Sequence, residues 1–234
     1  MIVIVGSPIG LPVGEGIVGA GLPADIARAA AASGAAVEVV GRVGEDATGD
    51  AILLDLAAHE VGHVAMLREP GRPTPTAAPS GNGSAMTDGP ALGEAVLDGI
   101  DRPDDHDDSA AEGDDAGNLP AGLSVDAGDL ELALRYVPDY RVLIVAADLD
   151  AGAFGAIVVG AGWSGAHLIV LLPEGPSARA IPDGATALLR PPTDPDGAFA
   201  AMVAGYAVAI DRGDEPRAAF ATAQRAGGWA AVAD

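Results

Sequence analysis

The chain contains no cysteine and no lysine. The first absence excludes disulfides, thiolate metal sites and cysteine nucleophiles together, and it fits a reducing compartment. The second excludes a Walker-type phosphate loop, whose lysine reaches the terminal phosphates. Aromatic residues make up only 3% of the sequence, so broad stacking platforms are not expected. Positive charge is also scarce: all 12 basic residues are arginine, set against 34 acidic ones, for a formal net charge of −22. A surface that tracks nucleic-acid phosphates is therefore not expected, and the acidity reads as a solvated surface rather than a cation-binding device. No apolar run approaches the eighteen or so residues of a membrane span, and the opening MIVIVGSPIG has neither the basic start nor the uninterrupted core of a secretion signal. The expectation is a cytoplasmic, membrane-free protein.

What is present is small and apolar. Half the chain, 49%, is hydrophobic, mostly Ala, Val and Leu, with 33 Gly, which is ample for one closely packed domain over 1–234. Residues 1–5 form a β-branched run stopped by Gly6 and Pro8, as in a strand buried on both faces. Pro23 opens an Ala-rich helix closed by Gly34, and residues 37–40 read as the next strand. A helix over 46–60 carries Ile52, Leu53, Leu56 and Ala57 on one face, and a short strand is expected at 63–67. From 72 to 125 the pattern gives way to Pro, Gly, Ser and Asp, including the Asp104–Asp108 run around His106, an acidic insert too polar to order itself. Alternation resumes with a helix over 126–136, a strand over 141–146, a helix over 150–161, strands at 167–172 and 185–189, and helices over 196–210 and 215–226. Such alternation predicts a mostly parallel sheet covered on both faces by helices, a three-layer α/β/α sandwich.

The stretch 19–49, GAGLPADIARAAAASGAAVEVVGRVGEDATG, carries a Gly-rich turn, a small-residue helix, a strand and a G-x-D-x-x-G turn, with Gly19, Gly21, Gly34, Gly41, Gly44, Asp46 and Gly49 in register. It resembles the N-terminal signature of the ribokinase, or PfkB-type, sugar kinases. Downstream, AFAAMVAGYAVAIDRG is similar to the helix after that family's second signature, so the resemblance covers about 1–70 and 126–234. It implies a ribokinase-like fold with a nucleotide lobe reduced between Leu172 and Asp194, and a lid reduced to the sequence around 10–18 and 70–76. The family's lid often mediates dimers, so a homodimer is expected.

By that resemblance Gly19, Gly21 and Asp25 line a substrate pocket for a sugar-like ligand, but Asp25 stands where the family has Asn, and Leu11 where it has a substrate-binding Asp. An ionised Asp only accepts hydrogen bonds, and Leu offers none, so an ordinary sugar loses partners. In the second signature Gly197 occupies the place of the catalytic Asp. Gly197 and Ala198 amides would form the anion hole, and Asp196 is the remaining base candidate, its alternative role being a helix N-cap. Asp194 and Asp196 would repel an anionic nucleotide, so ATP and Mg²⁺ are implied only for an active enzyme. The expectation is a sugar-kinase homologue with weak or lost phosphotransferase activity, the alternative being a non-catalytic metabolite-binding or scaffold protein on the same fold. His59 and His63 at a helix end read as surface imidazoles, and no metal site is assigned.

Overall fold

A computed structural model describes residues 1–77, 119–137, 139–173, 180–191 and 193–227. Six parallel strands form the central sheet: β1 (Ile2–Val5), β4 (Val37–Gly44), β5 (Met66–Glu69), β6 (Val142–Val145), β7 (His167–Leu172) and β8 (Thr186–Leu189), in the order β5-β4-β1-β6-β7-β8. Between β1 and β4 lie a hairpin, β2 (Ile9–Val13) and β3 (Gly16–Ala20), and helix α1 (Leu22–Ala32). The remaining helices are α2 (Ala47–Ala58), α3 (Ala127–Tyr136), α4 (Ala151–Ser164), α5 (Ala198–Arg212) and α6 (Pro216–Ala226).

The period-2 geometry of a strand sends alternate side chains to opposite faces, and the core divides accordingly. Ile2, Ile4, Val142, Ile144, Ile169 and Leu171 pack with α1, α2, α5 and α6 on one side. Val3, Val5, Leu143, Val145, Leu168 and Val170 pack with α3 and α4 on the other. Burial of each such side chain is worth about 1.5–3 kcal/mol, so β1 and β6, fully buried along their length, are the keel of the domain.

The three-layer sandwich expected from the alternation is the observed one, and the differences lie at element ends. Strand β4 runs on to Gly44 because Gly41 has no side chain: a Cβ there would sit 2.6 Å from the Gly6 carbonyl oxygen at the end of β1. Strand β5 begins at Met66 rather than at residue 63, and α5 begins at Ala198 rather than at 196. The hairpin, two strands and not merely a lid region, packs on α2. The expected unordered insert is too wide at both ends. Thr74 and Ala77 are buried and Thr76 bridges Gly10, while Leu123 and Val125 are buried on the α3 side. The part over 78–118, with His106 and its Asp run, lies outside the described residues. Among the described residues no helix is long and apolar enough to cross a membrane.

Strand β1 sits between β4 and β6, so the connections leaving its two sides diverge beyond its carboxyl end. In open α/β sheets that crevice is where ligands bind.

Candidate functional site

The crevice is bordered first by the turn after β1. The Ser7 hydroxyl accepts from the Arg42 amide at 2.8 Å and donates to the Leu123 carbonyl at 2.5 Å, tying β1, β4 and the segment before α3 together. The Arg42 guanidinium faces Glu69 at 3.5 Å, Asp126 at 3.2 Å and Asp129 in a closer pair. Three carboxylates around one cation leave this corner negative.

A second clamp comes from the G-x-D-x-x-G turn. Asp46 caps α2 by accepting from the Gly49 amide at 2.7 Å, and its carboxylate also takes the Thr74 amide and hydroxyl, each at 2.7 Å. Thr74 in turn accepts from the Gly44 amide at 2.8 Å. Burial pushes the Asp46 pKa up, but the hydrogen bonds from Gly49 and Thr74 outweigh it and hold the carboxyl below its ordinary range. The turn therefore fastens the returning loop 70–77 beside the hairpin, and its Asp is engaged structurally.

The hairpin and α1 build the third wall. Gly21 precedes α1 at φ 88°, ψ 163°, a conformation essentially closed to residues with a Cβ, and no side chain caps the helix. One turn on, Asp25 pairs with Arg28 at 2.5 Å, Arg28 reaches the Gly19 carbonyl at 2.5 Å and Asp55 at 3.0 Å, and Asp55 accepts from the Gly19 amide at 3.0 Å. Burial raises the Asp25 pKa against the pull of Arg28, and the nearby Asp194 and Asp55 carboxylates raise it further. Leu11, paired with Val18 in the hairpin, packs against Ile9, Ala20 and Ala77 and offers no polar group.

The fourth wall is the start of α5. Residues 194–197 form a turn closed by the Gly197 amide donating to the Asp194 carbonyl at 3.1 Å, with Pro195 second and Gly197 in the left-handed region at φ 64°. The Asp194 side chain then accepts from the Phe199 amide at 3.0 Å and the Ala200 amide at 2.9 Å. The helix is thus capped from Asp194, not from Asp196, which lies exposed in the turn. The correction has a geometric cause: the turn folds Asp194 back over the first helical turn and leaves Asp196 at its outer corner. Of the two amides expected to make an anion hole, that of Gly197 is engaged in the turn.

The two signatures, nearly 170 residues apart, are brought together where α1 packs on α5, and Asp25 lies within electrostatic reach of Asp194. Arg28 and Asp55 were not singled out from the sequence. The i,i+3 spacing of Asp25 and Arg28 and the lone carboxylate in the apolar run ILLDL were the available signals. His59 and His63 turn to backbone carbonyls, of Asp55 at 2.8 Å and Val61 at 3.2 Å.

No protein-family model and no curated protein sequence matches the chain. Solved structures do. A putative ribokinase II from E. coli superposes with a TM-score of 0.60 at 13% identity, covering 97% of this chain and 91% of that one. Ribokinase of Arabidopsis thaliana, complexed with ribose and ATP, gives 0.60 at 15% identity over 97% and 90%. The fold is that of the ribokinase family. A PfkB protein from Polaromonas agrees, at 0.59 and 14% identity over 98% and 95%. Within this ribokinase-like fold β7 and β8 are joined by residues 173–185 with no helix among those described. The E. coli protein has also been solved with ATP and Mg²⁺. The start of α5 in this chain does not suit such a group. Two of its first amides already hold a carboxylate, and the turn before them carries the exposed Asp196 as well.

Proposed function

We propose that this chain is a sugar-kinase homologue that retains a cleft for a sugar-like polyol between the hairpin and α1, with phosphotransferase activity weak or lost. The observation that carries the reading is the Asp194 carboxylate on the Phe199 and Ala200 amides. Phosphoryl transfer depends on positioned donors that meet charge as it develops; here the Gly197 amide is engaged in the turn, and the Phe199 and Ala200 amides that follow hold the Asp194 carboxylate. The cleft side is supported by Gly21, which opens α1 without a side-chain cap, and by Asp25, whose carboxylate is 38% exposed and has an oxygen beyond the one that meets Arg28. Leu11 narrows the ligand range by withdrawing a polar partner. The protein acts in the cytoplasm and as a homodimer in this reading. Any residual turnover would use Asp196 as base, with the Ala198 amide toward the transferred group and ATP and Mg²⁺ as donor. The same capping contact favours, as a second reading, a non-catalytic metabolite-binding role.

Calorimetry separates the two halves of the proposal. Mg²⁺-ATP is expected to give no heat of binding, whereas a panel of pentoses and polyols beginning with ribose is expected to yield a ligand whose binding Asp25→Ala abolishes. Micromolar ATP binding, together with sugar phosphorylation that Asp196→Asn removes, would overturn the loss of activity. A panel without any ligand would overturn the cleft.

A further inference from the structure

We propose that the ligand of the cleft carries a protonated amine, as an amino sugar or aminopolyol does, and that the open oxygen of Asp25 receives it. The inference rests on the sugar-like cleft of the preceding reading and narrows its ligand.

Arg28 divides the Asp25 carboxylate into a used half and an unused one. Its Nη2 donates to Asp25 Oδ1 at 2.5 Å, while its Nη1 donates to the Gly19 carbonyl at 2.5 Å and to Asp55 Oδ2 at 3.0 Å. Asp55 is committed as well, because the same Oδ2 also accepts from the Gly19 amide at 3.0 Å. Asp194 is turned to the Phe199 and Ala200 amides, one from each oxygen. Asp25 differs from both. Among the described residues no donor meets its Oδ2, and the side chain is partly exposed.

Charge decides which donor belongs at that oxygen. Asp194 and Asp55 both act on Asp25, and Arg28 is its one cationic neighbour among the described residues, so a single guanidinium serves three carboxylates. Burial strips water from Asp25 and pushes its pKa up against the pull of Arg28, and the two neighbouring carboxylates push it further. This carboxylate is short of positive charge. A sugar hydroxyl would bring one donor and no charge, whereas an ammonium brings three donors and the charge that is lacking. The polyol part of the ligand has its own partners: no side chain caps the start of α1, so the first amides of that helix are donors for hydroxyl oxygens beside the amine. A divalent metal suits the place less well. Such ions take about six or more oxygen ligands, and no group of three or more metal-binding side chains gathers among the described residues.

Calorimetry on the full chain compares amines with their neutral parents: glucosamine with glucose, galactosamine with galactose, and ribitylamine with ribitol, with N-acetylglucosamine as an uncharged derivative. At least one amine is expected to bind roughly tenfold or more tightly than its parent, the difference between a charge-assisted hydrogen bond and a neutral one, and N-acetylation is expected to remove the gain. Raising sodium chloride from about 20 mM to about 500 mM should shrink the advantage of the amine and leave the parent unchanged. Asp25→Asn keeps the shape and drops the charge, so amine and parent should bind it alike. If circular dichroism shows that variant misfolded, the N-acetyl comparison and the salt series on the wild type decide. A parent that binds as tightly as its amine, or an amine advantage that survives in folded Asp25→Asn, would overturn this inference and leave the cleft standing. A panel in which neither class binds would overturn the cleft and the inference with it.

Discussion

Replacing Asp194 by alanine removes the carboxylate that closes α5 and exposes the two amides it holds. Those bonds, 3.0 and 2.9 Å long, resemble an N-cap with charge assistance. Loss of a capping side chain costs about 0.5–2 kcal/mol, and loss of a carboxylate near a helix N-terminus about 0.3–1 more. Removing Asp194 also relieves its pressure on Asp25, which offsets part of that loss. A net cost of ~1.5 kcal/mol corresponds, at about 2–4 °C per kcal/mol for a chain of this size, to a Tm lower by roughly 3–6 °C. Opening the amides should create a response that the wild type lacks. If inorganic phosphate bound the freed helix start with a Kd near 1 mM, 10 mM phosphate would restore about 1.4 kcal/mol through ligand linkage. Thermal denaturation with and without phosphate, at constant ionic strength, measures both quantities. Equal phosphate responses in wild type and Asp194→Ala would refute the reasoning, because the amides would then be available to anions despite Asp194; an unchanged Tm would refute the cap itself.

Other consequences follow from residues around the sheet. Burial lowers the His167 pKa beneath its ordinary 6.5, and Nε2 lies 3.0 Å from both the Thr186 and Tyr206 hydroxyls. The folded state then resists protonation that the unfolded chain accepts, so stability is full above pH 6.5 and declines as pH falls below it. The Tm difference between pH 7.5 and pH 5.5 should shrink in His167→Gln. Asp46→Asn should lower Tm at neutral pH and flatten the loss of stability below about pH 4, since the native carboxyl stays ionised where the unfolded one takes its proton. Gly21→Ala forces a Cβ onto φ 88° and should cost about 1–3 kcal/mol in chemical denaturation, while abolishing polyol binding if the cleft reading holds.

The central strands were legible because burial on both faces writes itself as uninterrupted Val, Ile and Leu, and α4 and α6 because their caps, Asp150 and Glu215, are local. The hairpin was harder to read. IGLPV and GIVGA contain the residues that usually interrupt strands, and the parallel bridge from Gly10 to Thr76 comes from a loop far along the chain. At the site the sequence offered Gly19, Gly21 and Asp25 as a group, and the fold does gather Gly19 and Asp25 around Arg28. It could not disclose that Asp55, 27 residues beyond Arg28, completes the set. Nor could it show which of Asp194 and Asp196 caps α5, because a turn of four residues decides that by direction rather than by spacing.

The place of β1 also governs how the molecule is made. Its pairing with β4 joins Ile2 to Val37, but its pairing with β6 joins Ile2 to Val142. At about 5–20 residues per second a ribosome needs roughly 5–20 s to travel from the end of β4 to the end of β6. During that interval a half-sheet of β5, β4 and β1 can assemble with the most apolar strand of the protein as its open margin. The nascent chain is then most exposed to aggregation, and to help from chaperones, before its C-terminal half has been synthesised.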